Sequence, residues 1–119
     1  MSVTLNVCIT CRAGEVQVEG QPCAGRRLHD ALSREACPAG VQVVPVECLS
    51  ACPRGAAVAF SSPGRWTYVY GDMGEMDAPV LLAAAAAYGR TADGLVPWRE
   101  RAEIIRKRSI ARVPPLKDF

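Results

Sequence analysis

Polar and apolar positions along the chain switch between strand-like and helical periods. "VTLNV" at residues 3–7 alternates and is rich in β-branched residues, which predicts a first strand. In "RRLHDALSREA" the residues Leu28, Ala31, Leu32 and Ala36 recur at helical spacing, and "CPAG" closes that helix: Pro38 cannot continue it and Gly40 suits a left-handed exit. "VQVVPVE" at 41–47 predicts a second strand, which Pro45 assigns to a sheet edge or a bulge because it lacks a ladder donor. "AAVAF" (56–60) and "RWTYVYG" (65–71) flank "SSPG" and predict a hairpin with Trp66, Tyr68 and Tyr70 on one face and Thr67 and Val69 on the other. "MDAPVLLAAAAAYG" predicts a second helix, capped by Asp77, with Pro79 in its first turn and Gly89 at its end. Its five successive alanines make a thin surface that would lie close against a sheet. "GLVPWRERAEIIRKRSIARVPPL" predicts a short helix at about 99–108 and then an extended tail.

The expected fold class is therefore α/β: β-α-β, then a β-hairpin, then α, on a four-stranded mixed sheet, with a C-terminal helix and extended tail. The βαβ unit should be parallel with a right-handed crossover. Two parts are expected, residues 1–94 as the domain and 95–119 as a basic helix and tail packed on it or on a second subunit.

Composition adds limits. A chain of 119 residues that is 50% hydrophobic is large enough to bury a core without cross-links. "MSVTLNVCIT" has no secretory pattern, and "LLAAAAAY" is far shorter than the ~20 residues of a membrane span, so a soluble, cytoplasmic protein is expected. Charge is uneven. Residues 1–98 hold seven Arg against nine acids (−2), whereas residues 99–119 hold seven Arg and Lys against three acids (+4). A solvated helix face explains this arm, with an acidic partner as a weaker reading. No phosphate loop, Ser-His-Asp set, Rossmann glycines or paired-carboxylate site is present.

The chemistry sits in the cysteines. In a reducing compartment six cysteines point to metal or redox chemistry. Cys8 and Cys11 form C-x2-C at the exit of the first strand, and Cys48 and Cys52 form C-x3-C at the exit of the second. Neighbouring parallel strands point the same way, so both loops would emerge at one end of the sheet and four thiols could converge across 36 intervening residues. Ser50, Ala51 and Gly55 would let backbone N–H groups approach thiolates, and Arg12 and Arg54 would offset their charge. Three readings of such a site stay open: an iron–sulfur cluster, a zinc ion, and a metal-free dithiol. Cys23 and Cys37 read as small residues at helix ends.

The stretches "VCITCR", "GRRLHDAL", "VECLSACPRGAAVAF", "PGRWTYVYGDM", "GLVPWRER" and "ARVPPL" resemble a family of small predicted metal-binding proteins of unknown function, whose genes often lie near cobalamin-synthesis genes. That family is similar to the thioredoxin-like 2Fe–2S ferredoxins, with which this chain shares the element order and the strand-end cysteines. The resemblance implies a thioredoxin-like fold and a 2Fe–2S electron-transfer protein linked to cobalamin metabolism, its cluster held by Cys8, Cys11, Cys48 and Cys52. Cys48 and Cys52 match the second ferredoxin pair, and Cys8 the first ligand. Its partner is Cys11 or, with fourteen residues between, Cys23, since these ferredoxins separate their first two ligands by a longer loop. Two other functions remain alongside: a zinc- or cobalt-binding metal-handling protein using the same thiols, and a thiol-disulfide oxidoreductase using Cys8 and Cys11. The expectation is an electron carrier or metal binder, not a catalyst of bond chemistry, with a redox partner protein, no nucleic acid, no membrane, and a homodimeric state carried over from the ferredoxins.

Overall fold

A computed structural model describes residues 2–10, 19–49 and 55–116. Its strands are β1 (Val3–Cys8), β2 (Val41–Val46), β3 (Val58–Ser61), β4 (Thr67–Tyr70) and β5 (Ser109–Val113). Its helices are α1 (Ala24–Arg34), α2 (Ala78–Gly89) and α3 (Glu103–Lys107), with 3-10 turns at Glu75–Asp77 and Trp98–Glu100.

The strands form one sheet in the order β2-β1-β3-β4-β5. β1 pairs β2 in parallel, and the other pairings are antiparallel. β2 lies at the edge, where Pro45 opposite Val7 costs no ladder bond on the outer side. Among the described residues the sheet thus has five strands where four were expected. The fifth comes from the segment read as an extended tail, which turns back after α3 and pairs Tyr68 with Arg112 and Thr67 with Val113.

Alternation gives the sheet two unlike faces. Val3, Leu5 and Val7 are fully buried and share a face with Val58, Phe60, Tyr68 and Tyr70, because directly opposed residues point the same way. Both long helices lie against β1 and β2 and touch each other, so this face is covered. α1 contributes Leu28 and Leu32, and α2 contributes Leu81, Leu82, Ala85 and Tyr88. The opposite face is more polar: Asn6 Nδ2 donates to the Ala59 carbonyl at 3.4 Å and to Ser61 Oγ at 3.2 Å.

Two helix boundaries differ from expectation. α1 stops at Arg34, and Glu35 is already extended at ψ 156°, so Ala36 lies outside it. The chain is turning toward Cys37-Pro38, and the residue before proline disfavours helix. Gly40, at φ +81°, therefore serves the turn into β2. The C-terminal helix is broken into the 3-10 turn at Trp98–Glu100 and the short α3. Arg101 between them is extended, its Nε donating to the Val96 carbonyl at 2.7 Å.

The second helix is bound at both ends by side chains. Asp77 stands at its N-terminus as expected, but its carboxylate accepts from the Gly74 N–H at 2.8 Å and from Arg108 Nη1 at 2.8 Å. At the other end Arg65 donates to the carbonyls of Gly89 (3.2 Å) and Thr91 (2.9 Å), satisfying acceptors that the last turn leaves open.

Candidate metal centre

The parallel register sets Cys8, the last residue of β1, opposite Val46, the last of β2. The ladder continues one step further, with the Ile9 N–H donating to the Val46 carbonyl at 2.9 Å. Both strands therefore release their chains at one rim, side by side. Past that point the two exits stay joined: the Glu47 carbonyl accepts from the Cys8 thiol at 3.6 Å and from the Thr10 hydroxyl. Cys48 follows Glu47 directly and is exposed. Cys8 falls by alternation on the more polar face yet is fully buried.

Cys11 and Cys52, with Arg12, Ser50, Ala51 and Arg54, lie outside the described residues. Among the described residues no three His, Cys, Asp or Glu side chains gather closely enough to hold a metal ion. A four-thiol set drawn from these loops is half inside and half outside the described part.

Cys23 is at the same rim. It occupies the N-cap position of α1, and its thiol donates to the Ile9 carbonyl at 2.9 Å, one residue beyond Cys8. Its nearness to Cys8 follows from a crossover that brings the chain back to the β1 exit before the helix begins. Cys37 is elsewhere: it is exposed, and its thiol donates to the Val41 carbonyl at 2.9 Å, at the opposite end of β2.

The charged arm is engaged with the rest of the chain. Arg108 also donates to the Asp72 carbonyl at 3.0 Å, and Arg112 stacks over Trp66 at 4.7 Å. Arg101 lies 5.6 Å from the centroids of both Tyr68 and Trp98. Cation–π contact thus accommodates several of the positive charges that the sequence concentrates here. Among the described residues no helix is long and apolar enough to cross a membrane.

Comparison with known proteins agrees with this fold. Residues 5–115 match the model of the DUF1636 family, described as a protein of unknown function. No curated protein matched the sequence. Among solved structures, a thioredoxin-like [2Fe-2S] ferredoxin from Aquifex aeolicus aligns at 16% identity, covering 99% of this chain and 98% of the ferredoxin, with a TM-score of 0.61. A 1.5 Å crystal structure of the wild-type thioredoxin-like [2Fe-2S] ferredoxin from the same organism aligns at 15% identity over 92% of this chain and 97% of its own, with a TM-score of 0.59. The fold is thioredoxin-like, as the element order implied.

Proposed function

The chain belongs to the DUF1636 family, and from that premise we propose that it is a cytoplasmic electron-transfer protein that carries a 2Fe–2S cluster at the shared exit of β1 and β2. The observation that supports this most is the parallel register of Cys8 against Val46, which makes neighbours of two cysteine-bearing loops far apart in sequence. The likeness in fold to thioredoxin-like [2Fe-2S] ferredoxins supports the choice of cluster.

The donor chemistry fits the group. Cys8, Cys11, Cys48 and Cys52 would supply four soft thiolates from two loops, the ligand set such clusters take. The cluster would contribute reversible uptake and release of one electron. The chain's own part is to hold these thiols at one rim, with β1 and β2 setting the separation of the loops. The contacts of Cys8 and Thr10 with the Glu47 carbonyl tie the two loops together. Cys48, being exposed, keeps that side of the site near the surface, where a protein partner can approach.

A second ligand set uses Cys23 in place of Cys11, and the 2.9 Å contact of Cys23 with the Ile9 carbonyl is the observation that favours it. One series of variants tests both. Cys8→Ala, Cys11→Ala, Cys48→Ala and Cys52→Ala should each reduce bound iron and acid-labile sulfide after anaerobic reconstitution to less than about a fifth of wild type. Cys23→Ala and Cys37→Ala should load normally. Loss in Cys23→Ala with retention in Cys11→Ala would move the fourth ligand. Full loading of Cys48→Ala would refute the proposal.

A further inference from the structure

A second site lies on the helix-covered face. A cavity of about 440 Å³ opens between α2, the β3–β4 hairpin and the segment from Gly94 to Ile105. Its volume is within the range of small-molecule sites, roughly 300–1,000 Å³. The cavity exists because two surfaces fail to meet. The sheet side presents Tyr68 and Tyr70, whose rings stack with centroids 5.9 Å apart. The helix side presents the methyl groups of Ala83, Ala84 and Ala87, too short to fill the gap. Gly94 borders it at φ +86°, where a Cβ would stand 2.8 Å from the Tyr88 ring.

Besides Arg90 and Glu100, two polar groups line this apolar space. Tyr70 is only 3% exposed, and its hydroxyl makes no hydrogen bond to any described residue. Among the described residues no fully buried side-chain oxygen lacks a partner, so that hydroxyl must face open space, and the cavity is the space Tyr70 lines. Burial above all, with Tyr68 adding to it and Arg101 opposing it, pushes the Tyr70 hydroxyl well above its ordinary range, so it remains a neutral donor at physiological pH.

Arg101 is the second group. Its Nε is held by the Val96 carbonyl, and one Nη2 hydrogen reaches the Tyr68 hydroxyl at 3.5 Å. No described carboxylate pairs with it, although Glu100 also lines the cavity. The remaining terminal N–H groups form the fork that receives a carboxylate end-on.

We propose that this cavity binds a small carboxylate with a compact apolar body of one or two rings, the carboxylate on Arg101 and the Tyr70 hydroxyl and the body between the tyrosines and the alanines of α2. Among the described residues no cysteine lines the cavity. Ligand binding and cluster loading are therefore read independently, and either can fail without the other.

Titration calorimetry of the full chain with indole-3-propionate and with its primary amide tests this. The carboxylate should bind saturably, and the amide about tenfold more weakly, the loss of one charge-assisted interaction. Arg101→Gln should abolish that preference. Tyr70→Phe should weaken carboxylate binding about threefold or more while leaving the melting temperature unchanged, because the hydroxyl has no partner among the described residues. Ala84→Leu should fill the space and prevent binding of both compounds, and it stands as the control should Arg101→Gln fail to fold. Absence of saturable binding by either compound, wild-type binding by Ala84→Leu, or an undiminished preference in folded Arg101→Gln would overturn the proposal.

Discussion

Tyr88 carries its hydroxyl into the interior from α2 and donates it to the Trp66 carbonyl at 2.5 Å, joining helix to hairpin. Only 1% of the residue is exposed, and burial, partly opposed by Arg65, raises the hydroxyl from 10.0 to about 12. Tyr88→Phe should cost about 1–2 kcal/mol at neutral pH, since the Trp66 carbonyl loses its buried donor. The pH dependence has a definite sign. Above pH 10.0 the unfolded state loses the phenolic proton while the folded state keeps it until about 12, so this residue's contribution declines across that window. Urea unfolding followed between pH 9 and 12 should show a shallower decline in Tyr88→Phe than in wild type. Equal slopes would mean that Tyr88 titrates normally.

At the scale of elements, the C-terminal arm is the part least legible in sequence. "SIARV" shows the alternation of a strand, but every residue in it is exposed, so no apolar face announced which side was buried. β5 exists because α3 returns the chain to β4: Ile105 anchors α3 in the core, and Arg108 Nη1 binds Asp77 and the Asp72 carbonyl. These contacts span 31 and 36 residues, and local periodicity cannot report them. The first helix shows a related limit, where Ala36 kept the helical spacing beyond the point at which Cys37-Pro38 ends the helix. By contrast β1 and β4 were readable, since each buries a face that its period marks, and α2 was readable from its end signals Asp77, Pro79 and Gly89. The Arg108–Asp77 pair is partly buried, and a double-mutant cycle with Arg108→Gln and Asp77→Asn should give a coupling of about 1–2 kcal/mol by denaturant unfolding. A coupling near zero would mean that the backbone alone holds the arm in place.

For the whole molecule, the parallel β1–β2 pair is the feature on which the proposed function turns. That Cys8 and Cys48 would lie at neighbouring strand exits was legible because such exits can be read from where apolar runs stop, and parallel neighbours share an end. Cys23 was open to two readings, since its approach to Ile9 depends on the path of the whole crossover. The cavity between α2 and the hairpin was foreshadowed only by its walls, the alanine run and the aromatic face of β4. Tyr68 and Tyr70 were expected on one face of the hairpin and are there, buried in the core, but the gap left by the alanines and the approach of Arg101 are products of tertiary packing.

The cluster itself offers the most direct test. The full chain, purified without oxygen and reduced with dithionite, should be examined by low-temperature electron paramagnetic resonance alongside iron and sulfide analysis. The account predicts about two iron and two sulfide per chain, a red-brown colour that bleaches on reduction, and a signal integrating to about one unpaired electron. A colourless, signal-free protein holding one zinc per chain, or no metal even after anaerobic reconstitution with iron and sulfide, would contradict it.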